Sequence, residues 1–160
     1  MQEQVIQLLD NLSIKHRWVT HPAVFTVADL AELNDGTKPV KNLLLQEDDG
    51  VRKFLVVMAG FQRLDLKNLR IRLGSRRLRF TSDETLQSTL GVKSGMVSIF
   101  GMMHNGSSDV EVVIDSQIVG NDDELGFHPN DNTVTIYFSA MNLERVLAEI
   151  GCKYKIMKLY

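Results

Sequence analysis

The chain has a single cysteine, Cys152, among its 160 residues, so an intramolecular disulfide is excluded. No basic segment runs into an apolar one at its start. No apolar run approaches the ~20 residues needed to cross a bilayer, because charges or glycines interrupt each one. These absences predict a cytoplasmic protein with no membrane segment. Metal chemistry is disfavoured as well: His16, His21, His104 and His128 are scattered, and neither HExxH nor paired CxxC occurs. Ser98 lacks a Gly-x-Ser-x-Gly elbow, which weakens a serine-hydrolase triad, and no nucleotide or dinucleotide phosphate loop is present. With aromatics at only 7%, Leu, Val, Ile and Met must supply most of a core drawn from 44% hydrophobic residues. There is no internal repeat, low-complexity tract or long linker, and the length suits one domain over 1–160.

A net charge of −2 argues against nucleic-acid binding by bulk electrostatics, but the charge is unevenly spread. Arg63, Lys67, Arg70, Arg72, Arg76, Arg77 and Arg79 face only Asp65 in the same stretch, whereas 104–131 holds seven carboxylates and no Lys or Arg. Such a segment is either a phosphate-attracting face or a solvated helix and edge strand.

Helical spacing of Val5, Leu8, Leu9 and Leu12 predicts an opening helix over 2–13. A short strand at 17–19 follows, then a helix capped by Thr26 with Leu30 and Leu33 on its apolar side. Residues 40–46 and 52–58 read as a hairpin turning through Glu47-Asp48-Asp49-Gly50. Asp65 caps a helix ending at Gly74, a strand covers 77–80, and Thr81 with Glu84 forms a capping box for a helix ending at Gly91. Further strands are predicted at 97–100, 110–114, 117–119, 134–138 and 153–157, with a helix capped by Ser139 and closed by Gly151 before the last. The order is not a βαβ repeat. It favours a mixed α/β (α+β) fold with a largely antiparallel central sheet and flanking helices.

Three segments could carry chemistry. Lys41 opens an apolar run, Pro39-Val40-Lys41-Asn42-Leu43-Leu44-Leu45. In a cleft its ammonium could meet a phosphate or oxyanion while its stem packs on apolar neighbours; otherwise it is a solvent-facing lysine. Gly95-Met96-Val97-Ser98-Ile99-Phe100-Gly101 brackets a short run with glycines, so its backbone could approach a ligand closely or could simply make a tight turn. His128, in Gly126-Phe127-His128-Pro129, sits where proline restricts the chain, which suits either a positioned functional ring or a structural one.

These segments resemble the YbaK/ProX-type aminoacyl-tRNA deacylase family, which includes free-standing prolyl-tRNA editing proteins and the editing domain inserted in bacterial prolyl-tRNA synthetase. The resemblance is nearest its Ala-tRNA(Pro) deacylase branch, the prolyl-tRNA synthetase associated domain. It runs through His21-Pro22-Ala23-Val24-Phe25-Thr26-Val27, the Lys41 run, Arg63-Leu64-Asp65-Leu66-Lys67, Leu90-Gly91-Val92, the Gly95 segment and Gly126-Phe127-His128-Pro129-Asn130. It implies a strongly curved sheet around a small aminoacyl pocket, and hydrolysis, without metal or cofactor, of the ester between a mischarged amino acid and the 3' adenosine of tRNA. It also implies Lys41 as the functional lysine, with Phe25, Asn42, Gly95, Met96, Val97, Ser98, Ile99, Phe100, Gly101 and His128 at the substrate. Arg63, Lys67, Arg70, Arg76 and Arg77 are then candidates for tRNA phosphates. The implied partner is aminoacyl-tRNA, foremost tRNA(Pro), with transient association with a synthetase and a monomer or homodimer left open. Ile99 stands where the family has proline in a Gly-x-x-x-Pro pattern, which is expected to alter loop rigidity or pocket volume. Two other functions stay open: a non-catalytic tRNA-binding or regulatory protein on the same fold, and a hydrolase of small free esters or amides.

Overall fold

The computed structural model describes residues 2–23 and 39–159. The predicted helix capped by Thr26, and Phe25 with it, lies outside the described residues. Helix α1 (Gln2–Asn11) buries Val5 and Leu9, as its spacing predicts, and β1 (His16–Thr20) follows. The hairpin forms as β2 (Val40–Glu47) and β3 (Lys53–Ala59), paired antiparallel from Val40↔Ala59 to Gln46↔Lys53. Then come α2 (Leu66–Leu73), β4 (Leu78–Phe80) and α3 (Asp83–Leu90), followed by β5 (Val110–Asp115), β6 (Glu124–Phe127), β7 (Val134–Ser139), α4 (Leu143–Ile150) and β8 (Lys153–Met157).

The strands form two sheets rather than one. Five strands lie in the order β4-β2-β3-β5-β8, and three in the order β1-β7-β6. The expectation of a largely antiparallel sheet holds for the small sheet and for β2 with its two neighbours. It fails at β3–β5 and β5–β8, which are parallel, because the intervening chain crosses over before returning to the sheet.

Alternation along β2 divides its side chains between two cores. Val40 and Leu44 join the larger core with Phe100, Phe127, Ile136 and Phe138; Leu45 joins a smaller one with Phe54, Leu69, Leu73 and Leu78. The smaller core fixes α2 and β4 on one side of β2, and the larger holds the three-stranded sheet on the other.

Two predicted strands are 3₁₀ helices instead. At Ile99–Met103 and Ser116–Ile118 a side chain captures the first backbone donors: Ser98 Oγ accepts from Phe100 N at 3.0 Å, and Asp115 Oδ1 accepts from Gln117 N at 3.0 Å. The cap of α3 also shifts by one residue, from the expected Thr81 to Ser82, whose Oγ accepts from Thr85 N at 3.2 Å. Ser139 caps a short 3₁₀ turn, Ala140–Asn142, that leads into α4.

Candidate active site

The cleft opens where β4 stops covering the edge of β2. Pairing between them spans only Leu45↔Phe80, Gln46↔Arg79 and Glu47↔Leu78, and Thr81 makes the last ties, its N and Oγ each reaching Leu44 O at 3.3 Å. Residues 40–44 therefore line one wall of a cleft of about 430 Å³. Gly126, Phe127, His128 and Thr135 line the wall opposite, and Phe80, Thr81, Asp83, Leu86, Ser94, Gly95 and Val97 complete it.

Lys41 lies opposite Met58 in the hairpin and is partly buried, which lowers its pKa from that of a free lysine. It forms no ion pair or hydrogen bond among the described residues, so its ammonium is available to a ligand. Asn42, beside it, has a buried Oδ1 without a hydrogen-bond partner among the described residues. A buried acceptor left unpaired costs free energy, and a ligand donor would recover it.

His128 Nδ1 donates to the Val134 carbonyl at 2.9 Å; a carbonyl can only accept, so the neutral ring carries its proton on Nδ1 and a lone pair on Nε2. Burial is the main cause lowering its pKa; the Val134 carbonyl opposes this, the nearby His21 ring adds to it, and Asp131 opposes it. His21 stands with its ring centroid 6.0 Å from that of His128. Its Nδ1 donates to Pro22 O at 2.8 Å, and its Nε2 is hydrogen-bonded to the Thr135 hydroxyl at 2.7 Å. This wall packs closely around Gly126, where a Cβ would stand 2.7 Å from Tyr137 Cε1 and 2.9 Å from Thr135 Cγ2.

The glycine-bracketed segment divides. Gly95 takes φ +87° in a turn closed by Met96 N donating to Lys93 O at 3.1 Å, and Gly95 and Val97 line the cleft. Met96, Ser98, Ile99, Phe100 and Gly101 do not. Met96 packs on the larger core, Ser98, Ile99 and Phe100 are fully buried, and Gly101 packs against Leu90. The amides of Met96, Phe100 and Gly101 are already committed to Lys93 O, Ser98 Oγ and Ser98 O, so an oxyanion could draw on Gly95 and Val97 rather than the whole run. Ile99 occupies the first position of its 3₁₀ helix, where proline is also accepted because that N–H needs no intrahelical acceptor. Its side chain enters the larger core.

Arg63, Lys67, Arg70, Arg77 and Arg79 are exposed and have no acidic partner among the described residues; they flank or occupy α2 and β4, and β4 reaches the cleft at Phe80. Arg76 Nε meets Asp49 Oδ2 at 3.4 Å. Sequence reasoning missed Phe80, Thr81, Asp83, Ser94 and Thr135. Of these only Phe80 carried a signal, as a lone aromatic at the end of an arginine-rich strand. Cys152 is outside the cleft, and burial pushes its thiol up to about 11, which suits packing rather than nucleophilic work. Among the described residues no cluster of His, Cys, Asp and Glu could hold a metal, and no helix is long and apolar enough to cross a membrane.

Lys41, with no ion pair among the described residues, the His128 ring and the Asn42 Oδ1 that lacks a partner among them therefore line one cleft beside a basic flank. The protein belongs to the aminoacyl-tRNA editing domain family, which it matches over residues 21–146. Its class is therefore that of the YbaK/ProX-type tRNA-editing domain proteins. It is 34% identical to the prolyl-tRNA editing protein ProX of Acetoanaerobium sticklandii, over 99% of this chain and 97% of that one. It is 26% identical to the prolyl-tRNA synthetase associated domain-containing protein 1 of Xenopus laevis, over 94% and 92%. The solved hypothetical protein APE2540 shares the fold at a TM-score of 0.71 and 17% identity, with 94% of this chain and 95% of that one covered.

Proposed function

We propose that this protein is a trans-editing deacylase that cleaves the ester joining alanine to the 3' adenosine of tRNA(Pro). The observation that carries this is the convergence of Lys41, Asn42, the Gly95 turn and His128 on one cleft. The near full-length likeness to a prolyl-tRNA editing protein supports the choice of tRNA.

In this mechanism the acceptor end enters over α2 and β4, with its phosphates toward Arg63, Lys67, Arg70 and Arg77. Lys41 holds the terminal backbone and places the ester. The Gly95 and Val97 amides face the carbonyl oxygen, which becomes an oxyanion as water attacks. The water is activated by the terminal ribose 2'-OH rather than by a protein nucleophile. His128 and Asn42 offer acceptors to the donors of the aminoacyl group. Discrimination is steric, since one methylene changes an attractive pocket's preference by only ~1–3 kcal/mol, whereas a clash can reject more strongly.

Single-turnover deacylation of tRNAs charged with alanine, serine, cysteine and proline tests this. Alanyl-tRNA(Pro) is expected to be cleaved at least about tenfold faster than prolyl-tRNA(Pro). Binding of tRNA without hydrolysis of any of them would instead assign a regulatory role.

A further inference from the structure

Among the described residues six large apolar side chains are exposed: Val51, Phe61, Ile71, Phe80, Met141 and Ile156. Of these, Phe80 alone lines the cleft, and it does so with 57% of its surface exposed. Burial does not explain that position, since Leu78 two residues earlier supplies the strand's contact with the smaller core. Phe80 pairs with Leu45, and alternation along β2 sets Leu43 and Lys41 on the same face of the sheet. The ring therefore stands on the Lys41 side of the cleft mouth. Arg77 and Arg79, both exposed and without acidic partners among the described residues, precede it in the chain. An open aromatic face beside free cations suits a single-stranded nucleotide, whose base stacks while its phosphate is neutralised.

We propose that Phe80 is a positioning residue that stacks on an unpaired base at the 3' end of the bound tRNA, while Lys41 holds the adjoining backbone. This rests on the tRNA-editing function above and adds a base contact to it. It also gives the site a means of favouring an aminoacyl ester carried on a nucleotide over a small free ester.

The test compares wild type, Phe80→Leu and Phe80→Trp on two substrates: an alanylated acceptor-stem minihelix of tRNA(Pro), and the same minihelix with an abasic 3'-terminal ribose and an abasic residue before it. Thermal melting of each variant checks the fold; Phe80 is exposed, so little change is expected. Phe80→Leu should raise the half-saturating enzyme concentration for the intact minihelix about tenfold, and Phe80→Trp should preserve it. On the abasic substrate wild type and Phe80→Leu should be equal. Equal behaviour on the intact substrate, or the same loss on both, overturns the proposal. If wild type cleaves no alanylated substrate, the deacylase function falls separately. Calorimetric binding of the uncharged minihelix then decides Phe80: weaker binding to Phe80→Leu supports stacking, and equal binding overturns it.

Discussion

At His128 the chemistry follows from what the ring touches. The Val134 carbonyl fixes the proton on Nδ1, and burial, reinforced by His21, keeps the ring neutral below the ordinary histidine value of 6.5. An unfolded chain would take up that proton first as pH falls. The folded state is therefore penalised from about 6.5 downward through the lowered folded pKa, and the penalty is absent above 6.5. Melting temperatures measured between pH 8 and pH 5 should fall more for wild type than for His128→Asn, and parallel curves would remove His128 as the titrating group. The residues with unusual chemistry for their setting were legible in the sequence: Lys41 against an apolar run, and His128 ahead of a proline. Thr135 was not, because a threonine in a strand is commonplace until His21 is seen to hold its hydroxyl. The burial of Ile99 was not legible either, because a motif position does not say which way its side chain turns.

Elements closed by strong local signals emerged close to expectation. The hairpin, the Asp65 cap with its Gly74 stop, and the last strand rest on patterns within a few residues. Strand β6 was missed, since Glu-Leu-Gly-Phe reads as loop and its glycine is explained only by β7 across from it. Tyr137 and Thr135 fill the space a Cβ at residue 126 would need. Gly126→Ala should accordingly destabilise the protein by about 1–3 kcal/mol and displace the Thr135 wall. Urea unfolding measures the first effect, and a stability unchanged within error would show that the wall yields freely. The two 3₁₀ helices escaped prediction for the opposite reason: Ser98 and Asp115 act on the backbone over two residues, overriding a β-rich composition.

The mixed α/β class was readable from element order, but the division into two sheets and the parallel returns of β5 and β8 depend on long-range pairing that no local pattern specifies. That division makes the cleft. It brings β2 of one sheet against β6 and β7 of the other, and so unites residues more than eighty positions apart. The basic flank and the cleft mouth share β4, so the uneven charge seen in the sequence lies next to the cleft. In the proposed function Lys41 positions the tRNA end for hydrolysis within this cleft. Single-turnover deacylation of alanyl-tRNA(Pro) by wild type and Lys41→Ala, with melting temperatures matched, tests it most directly. The substitution should slow cleavage about a hundredfold or more; cleavage at the wild-type rate would contradict it.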